Sequence, residues 1–146
     1  MAMKFDEINE NDLFLTDSYK VTKEDIMSFA SVYDPLYIHI DEERAKEGFF
    51  GEIIASGLHG LSITWKLWIE LDVIGDDAIG GVGIDNVKFI RPIYANDVLS
   101  VQAKIINKQE HINKSDRGYF TIQLKTYNQS EQLVLKADVT GLIKRA

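Results

Sequence analysis

The sequence predicts an α+β fold, a curved antiparallel sheet wrapped around one long central helix. Two observations predict it. Residues 53–71, IIASGLHGLSITWKLWIEL, form the longest apolar-rich run in the chain. Beyond residue 81, four segments alternate apolar and polar residues.

The helix sets what the rest of the chain must do. It is expected over residues 57–71, about 22 Å long at ~1.5 Å per residue, with Gly57 at its start. At about 100° per residue, Leu58, Leu61, Trp65, Trp68 and Ile69 share one arc. Ile63, Leu67 and Leu71 fall on a second arc, nearly opposite. His59, Ser62, Lys66 and Glu70 make a narrow polar arc between them. A surface helix buries one apolar stripe. Two arcs ask for cover on more than one side, which a strongly curved sheet supplies.

The four strands are expected at 82–92, 98–107, 118–128 and 133–144. In the first, Ile84, Val87 and Phe89 are the apolar marks, and Gly81 and Gly83 point to a bulge or a close contact. In the others Leu99, Val101, Ala103 and Ile105, then Phe120, Ile122 and Leu124, then Leu133, Leu135, Ala137 and Val139 alternate with polar residues. Period-two alternation implies a sheet with one buried face. Turn residues at 96–97 and 128–131 keep the connections short, hence antiparallel. Residues 72–81 read as a Gly/Asp-rich turn region and 108–117 as a charged, mobile loop. A sheet of this kind around one helix is the hot-dog arrangement. Its open edge invites pairing with a second subunit.

Upstream, residues 1–12 read as a frayed acidic lead-in and 13–21 as a short edge strand. Thr22 caps a helix marked by Ile26, Phe29, Ala30 and Tyr33. That helix stops by Asp34, because Pro35 pushes the residue before it out of the α region. Residues 35–40 read as a connection or short extended piece. Asp41 caps a short helix through about Lys46, ended by Gly48.

The chain of 146 residues is expected to form one domain, 1–146. Its net charge of -7 argues against broad nucleic-acid binding, which needs a basic face. With no cysteine, disulfides, thiol catalysis and thiolate metal sites are excluded. The acidic N-terminus has no apolar signal region and no run reaches about 18 apolar residues. A cytoplasmic protein without a membrane partner is the expectation.

Two places carry candidate chemistry. Asp34 and His39 put a carboxylate and an imidazole on either side of a turn, and both exchange protons. By themselves they read first as a turn pair and a surface histidine. Gly57, at the helix start, permits close approach of a ligand to free N–H groups that favour developing negative charge. By itself it is equally a tight turn.

In this order, the run Phe29-Ala30, Tyr33-Asp34-Pro35, His39-Ile40-Asp41-Glu42-Glu43, Phe50-Gly51, Ile54-Ala55-Ser56-Gly57 and His59 resembles the MaoC-like dehydratase family, which includes the R-specific enoyl-CoA hydratases. Val87-Lys88-Phe89-Ile90-Arg91-Pro92 with Asn96-Asp97 resembles that family's strand, turn and return. The resemblance implies the hot-dog fold, an assembly at least dimeric, and hydration of a 2-enoyl thioester. It implies Asp34 and His39 as the catalytic pair and Gly57 as the N–H that binds the thioester carbonyl. It implies no metal or redox cofactor, with coenzyme A or an acyl carrier protein as the substrate's handle.

Two departures stand out. Leu36 and Tyr37 occupy positions where hydratases of the family carry an amide residue and often proline, and Trp65 stands where some carry serine. Lys66, Lys88, Arg91 and Lys108 are candidate cations for a phosphorylated handle, without a particular binder assigned. Two rival readings share the same residues: a hot-dog acyl-CoA thioesterase and a non-catalytic acyl-CoA-binding module.

Overall fold

The computed structural model describes residues 2–145. Six strands form one sheet around a helix, the hot-dog arrangement. In chain order the elements are β1 (Leu13–Leu15), β2 (Tyr19–Lys20), α1 (Lys23–Tyr33), α2 (Tyr37–Ile40), α3 (Glu42–Lys46), α4 (Gly57–Glu70), β3 (Ala78–Phe89), β4 (Val98–Glu110), β5 (Arg117–Tyr127) and β6 (Leu133–Lys144). The sheet runs β1-β4-β5-β6-β3, with β2 also paired to β4, and every pairing is antiparallel.

The alternation predicted for β4, β5 and β6 is the burial observed, whereas Ile84 and Phe89 of β3 are exposed in the single chain. Leu99, Val101, Ala103 and Ile105 of β4 face inward with Phe120, Ile122 and Leu124 of β5 and Leu135, Ala137 and Val139 of β6. They close on Ile63, Leu67 and Trp68 of α4. Thr64 is fully buried on the same helix; its hydroxyl donates to Gly60 O and lies 2.6 Å from the Thr126 hydroxyl of β5. That bond satisfies two buried polar groups at once, the condition under which they stop being costly.

Several expectations are corrected. The first arc of α4 is not all covered: Leu58, Trp65 and Ile69 remain exposed in the single chain. The edge segment 13–21 is split into β1 and β2. Residues 35–40 contain a full helical turn, α2. The lead-in is not frayed throughout: Phe5 and Ile8 are buried, and Phe5 stacks on Phe120 at 4.8 Å. β3 begins at Ala78, inside the predicted turn region, and β4 runs on to Glu110, inside the predicted loop. β3 carries register shifts, one of them between Asp85 and Lys88, around Asn86 at φ 55. Among the described residues, no helix is long and apolar enough to cross a membrane.

Candidate active site

Local chemistry brings Asp34 and His39 together. Thr22 caps α1, accepting from the Asp25 N–H. Asp34 ends the helix, its N–H donating to Ala30 O at 2.8 Å. Leu36 N–H then donates to Asp34 O at 2.8 Å across Pro35, an i to i+2 bond that reverses the chain tightly. α2 follows at once and returns His39 to face Asp34.

The segment after α3 forms the opposite wall. Ile54 N–H donates to Ile38 O and Ala55 N–H to Ile93 O, so this strip is held from both sides. Ser56 caps α4, its Oγ accepting from the Leu58 N–H at 3.2 Å, and the same hydroxyl donates to Asp34 Oδ2 at 2.7 Å. Gly57 is the first helical residue, and its N–H donates to no protein group among the described residues. A Cβ there would lie 2.9 Å from the Phe89 ring, so the position admits only glycine unless Phe89 moves.

His39 is buried and its Nδ1 lies 2.6 Å from Ile54 O. A carbonyl oxygen only accepts, so Nδ1 carries the hydrogen and Nε2 is the nitrogen left for Asp34. Nε2 lies 3.3 Å from Asp34 Oδ2. Carboxylate oxygen and bare imidazole nitrogen both accept, so this contact is attractive only with a proton between them. Asp34 Oδ1 has no protein donor among the described residues.

These groups open into one cavity of about 440 Å³. Asp34, His39 and Gly57 are at its polar side, Phe50 and Phe89 are on its apolar walls, and Arg91 lines it too. Arg91 Nη1 donates to Leu133 O at 2.7 Å. All three sequence-predicted residues therefore share one site. Ser56 was read only as part of the helix start. Its Asx-like capping identity was visible in sequence, but its bond to Asp34, across 22 positions, was not.

The departures lie elsewhere. Leu36 is exposed, and Tyr37 carries the Arg44 guanidinium 4.3 Å above its ring; neither lines the cavity. Trp65 lines a separate apolar groove of about 510 Å³ with Leu61, Val82 and Ile84. His59, on the predicted polar arc, is buried and stacks on Phe29 at 4.5 Å, with no hydrogen-bond partner for Nδ1. Of the remaining cations, Lys66 pairs with Glu70 and Lys108 sits over the Phe5 ring. No group of three or more potential metal ligands occurs among the described residues.

The family pattern described as "MaoC like domain" matches residues 6–126. The chain is 44% identical over 143 residues to uncharacterized protein YdeM of Bacillus subtilis (strain 168), covering 98% of this chain and 100% of that one. Among solved structures it is similar to a monoamine oxidase regulatory protein from Archaeoglobus fulgius, at 30% identity and a TM-score of 0.90 over 99% of this chain and 96% of that one. It is also similar to a MaoC-like dehydratase from Rhodospirillum rubrum, at 27% identity and a TM-score of 0.90 over 99% and 98%. A match across most of the sequence, with a fold superposing over nearly its whole length, makes this chain a member of the MaoC-like dehydratase family.

Proposed function

We propose that the protein is a hydro-lyase that adds water to a trans-2-enoyl thioester, or removes it from a 3-hydroxyacyl thioester. One observation carries this reading: the Asp34–His39 pair, with His39 Nδ1 locked on Ile54 O, shares a cavity with the unpartnered Gly57 N–H. A base, an acid and an oxyanion donor are the three groups the reaction needs.

In the hydration direction, Asp34 Oδ1 accepts a proton from water while the water oxygen bonds to C3. The C2–C3 π pair moves toward the carbonyl, and the thioester oxygen gains negative charge at the Gly57 N–H. The proton held between Asp34 and His39 is delivered from Nε2 to C2, and the proton taken from water restores the pair. Net, one water is added and no electron acceptor is consumed. A backbone N–H at a helix start is suited to that oxyanion, because the helix dipole and a low-dielectric wall reinforce it. The chemistry calls on no cofactor, and the handle is coenzyme A or a carrier protein.

The assembly we propose is a homodimer. Among the described residues β3 pairs only with β6, leaving its other edge free. Val82 and Ile84 on it are exposed and share an apolar groove with Leu61 and the exposed Trp65 of α4. A second copy covers both.

The test is to supply trans-2-butenoyl-CoA and follow loss of the conjugated double bond and release of free thiol together. Hydration without thiol release is expected. Asp34→Asn and His39→Gln are each expected to lower kcat at least ~100-fold with the fold unchanged. Thiol release without hydration would make the protein a thioesterase, and binding without turnover would make it an acyl-thioester-binding module.

A further inference from the structure

The outward face of the sheet carries a row of lysines that the catalytic reading does not use. Lys88 of β3 is directly opposite Lys136 of β6, and Lys136 directly opposite Lys125 of β5. Lys104 of β4 lies in the neighbouring row, opposite Gln123, which is itself opposite Asp138. Lys104, Lys125 and Lys136 are on the face turned away from α4, as the burial alternation of their strands requires, and Lys88, directly opposite Lys136, shares that face. None of the four takes part in an ion pair or side-chain hydrogen bond among the described residues.

Like charges placed directly across strands destabilise a sheet, and opposite charges are the usual solution. Here the carboxylates sit in the neighbouring row, Asp85 opposite Asp138, and Asp138 Oδ2 is already held by Asn86 Nδ2 at 2.9 Å. Lys104 and Lys125 also line a shallow depression of about 350 Å³ with Asn11, Leu13, Gln102 and Gln123 and no carboxylate. A chain of net charge -7 therefore carries a local cationic stripe.

The shape of the stripe selects its partner. At ~4.8 Å between strands, the row Lys88, Lys136 and Lys125 is strung over about 10 Å from β3 to β5. They do not converge on one point, as donors around a single phosphate do. Carboxylates at i, i+4 and i+7 of a helix span roughly 10 Å along one line, which matches. The stripe also starts at the catalytic cavity: Phe89 and Leu135, next in sequence to Lys88 and Lys136, line it, as do Ile90 and Arg91.

We propose that this face docks an acidic carrier protein that brings the acyl thioester to the cavity, its flexible arm passing beyond the last residue of β3 by Ile90 and Arg91, which line the cavity. The proposal rests on the acyl-thioester reading given above and names the handle. The experiment compares one acyl group, trans-2-butenoyl, on an acyl carrier protein and on coenzyme A, for the wild type and for Lys125→Glu/Lys136→Glu. With the carrier substrate, kcat/KM is expected to fall at least tenfold in the double variant and to fall with added salt in the wild type. With the coenzyme A substrate it is expected to stay within twofold, which also shows that the variant is folded. A loss shared equally by both substrates, a loss confined to coenzyme A, or no loss with either overturns the docking surface and leaves the hydratase reading standing. If neither substrate turns over, that reading fails, and fluorescence anisotropy of labelled carrier protein decides the docking question separately. Tenfold weaker binding to the double variant then supports the surface, and absence of binding to the wild type overturns it.

Discussion

At the residue scale, Ser56 is where structure adds most to sequence. Its hydroxyl caps α4 and holds Asp34 Oδ2 with the same oxygen. Asp34 sits at a helix end with a γ-turn behind it, so nothing else among the described residues fixes that carboxylate laterally apart from His39. Ser56→Ala is expected to lower kcat about tenfold with little change in KM, and to cost roughly 1 kcal/mol of stability as a lost cap. Ser56→Thr, which keeps the hydroxyl, is expected to recover part of both; kcat, KM and urea midpoints for the pair of variants check this. Asp34, His39 and Gly57 were singled out by a proline turn, a helix start and the family resemblance of the run around them, and they line one cavity. The Ser56–Asp34 bond was not legible, because it depends on how two distant segments fold back.

At the element scale, the contact between α1 and α4 contains a buried imidazole without a partner. His59 stacks on Phe29, and burial lowers its pKa, with the Asp25 carboxylate a weaker opposing influence. The unfolded chain binds a proton at this group near pH ~6.5, whereas the folded protein resists it. Stability from this group is therefore complete above pH ~6.5 and is lost as the pH falls below it, until the folded imidazole also protonates. His59→Phe keeps the ring on Phe29 and removes the titration. Urea midpoints measured near pH 7.5 and near pH 5 are expected to differ less in this variant than in the wild type. The sequence placed His59 on the polar arc of the helix. Ser62, Lys66 and Glu70 of that arc are exposed as their polarity requires, and His59 is the exception. The exposed side also takes in Leu58, Trp65 and Ile69, since the sheet wraps the side bearing Ile63, Leu67 and Trp68.

At the scale of the whole molecule, the free edge of β3 and the exposed arc of α4 form one surface. Val82→Lys/Ile84→Lys is expected to shift the mass in solution from twice the chain mass to that of a single chain, read by light scattering behind size exclusion. An unchanged mass would place the subunit contact elsewhere. The strand pattern was legible because alternation reports a one-sided sheet directly. Strand ends were less so: β3 starts among glycines at Gly80 and Gly81, and β4 continues through charged residues, because ladder bonds with neighbours, rather than side-chain type, decide where a strand stops. Phe5 and Ile8 were missed for the same kind of reason, since an acidic segment hides two apolar anchors that fill the end of the sheet.

The strand order also has a consequence for the chain as it is made. β6, the last element, lies between β5 and β3. Among the described residues, β3 thus has no partner within its own chain until β6 has been made. At about 5–20 residues per second, that wait lasts roughly 3–11 s. Through it, α4 has already been made and the strip Ala78–Phe89 has both edges bare. The cavity cannot close before then either, because Val134 and Leu135 complete its wall. A nascent chain halted before residue 133 would hold Asp34, His39 and Gly57 and still lack the cavity they share, while offering neighbouring nascent chains a two-edged strand to pair with.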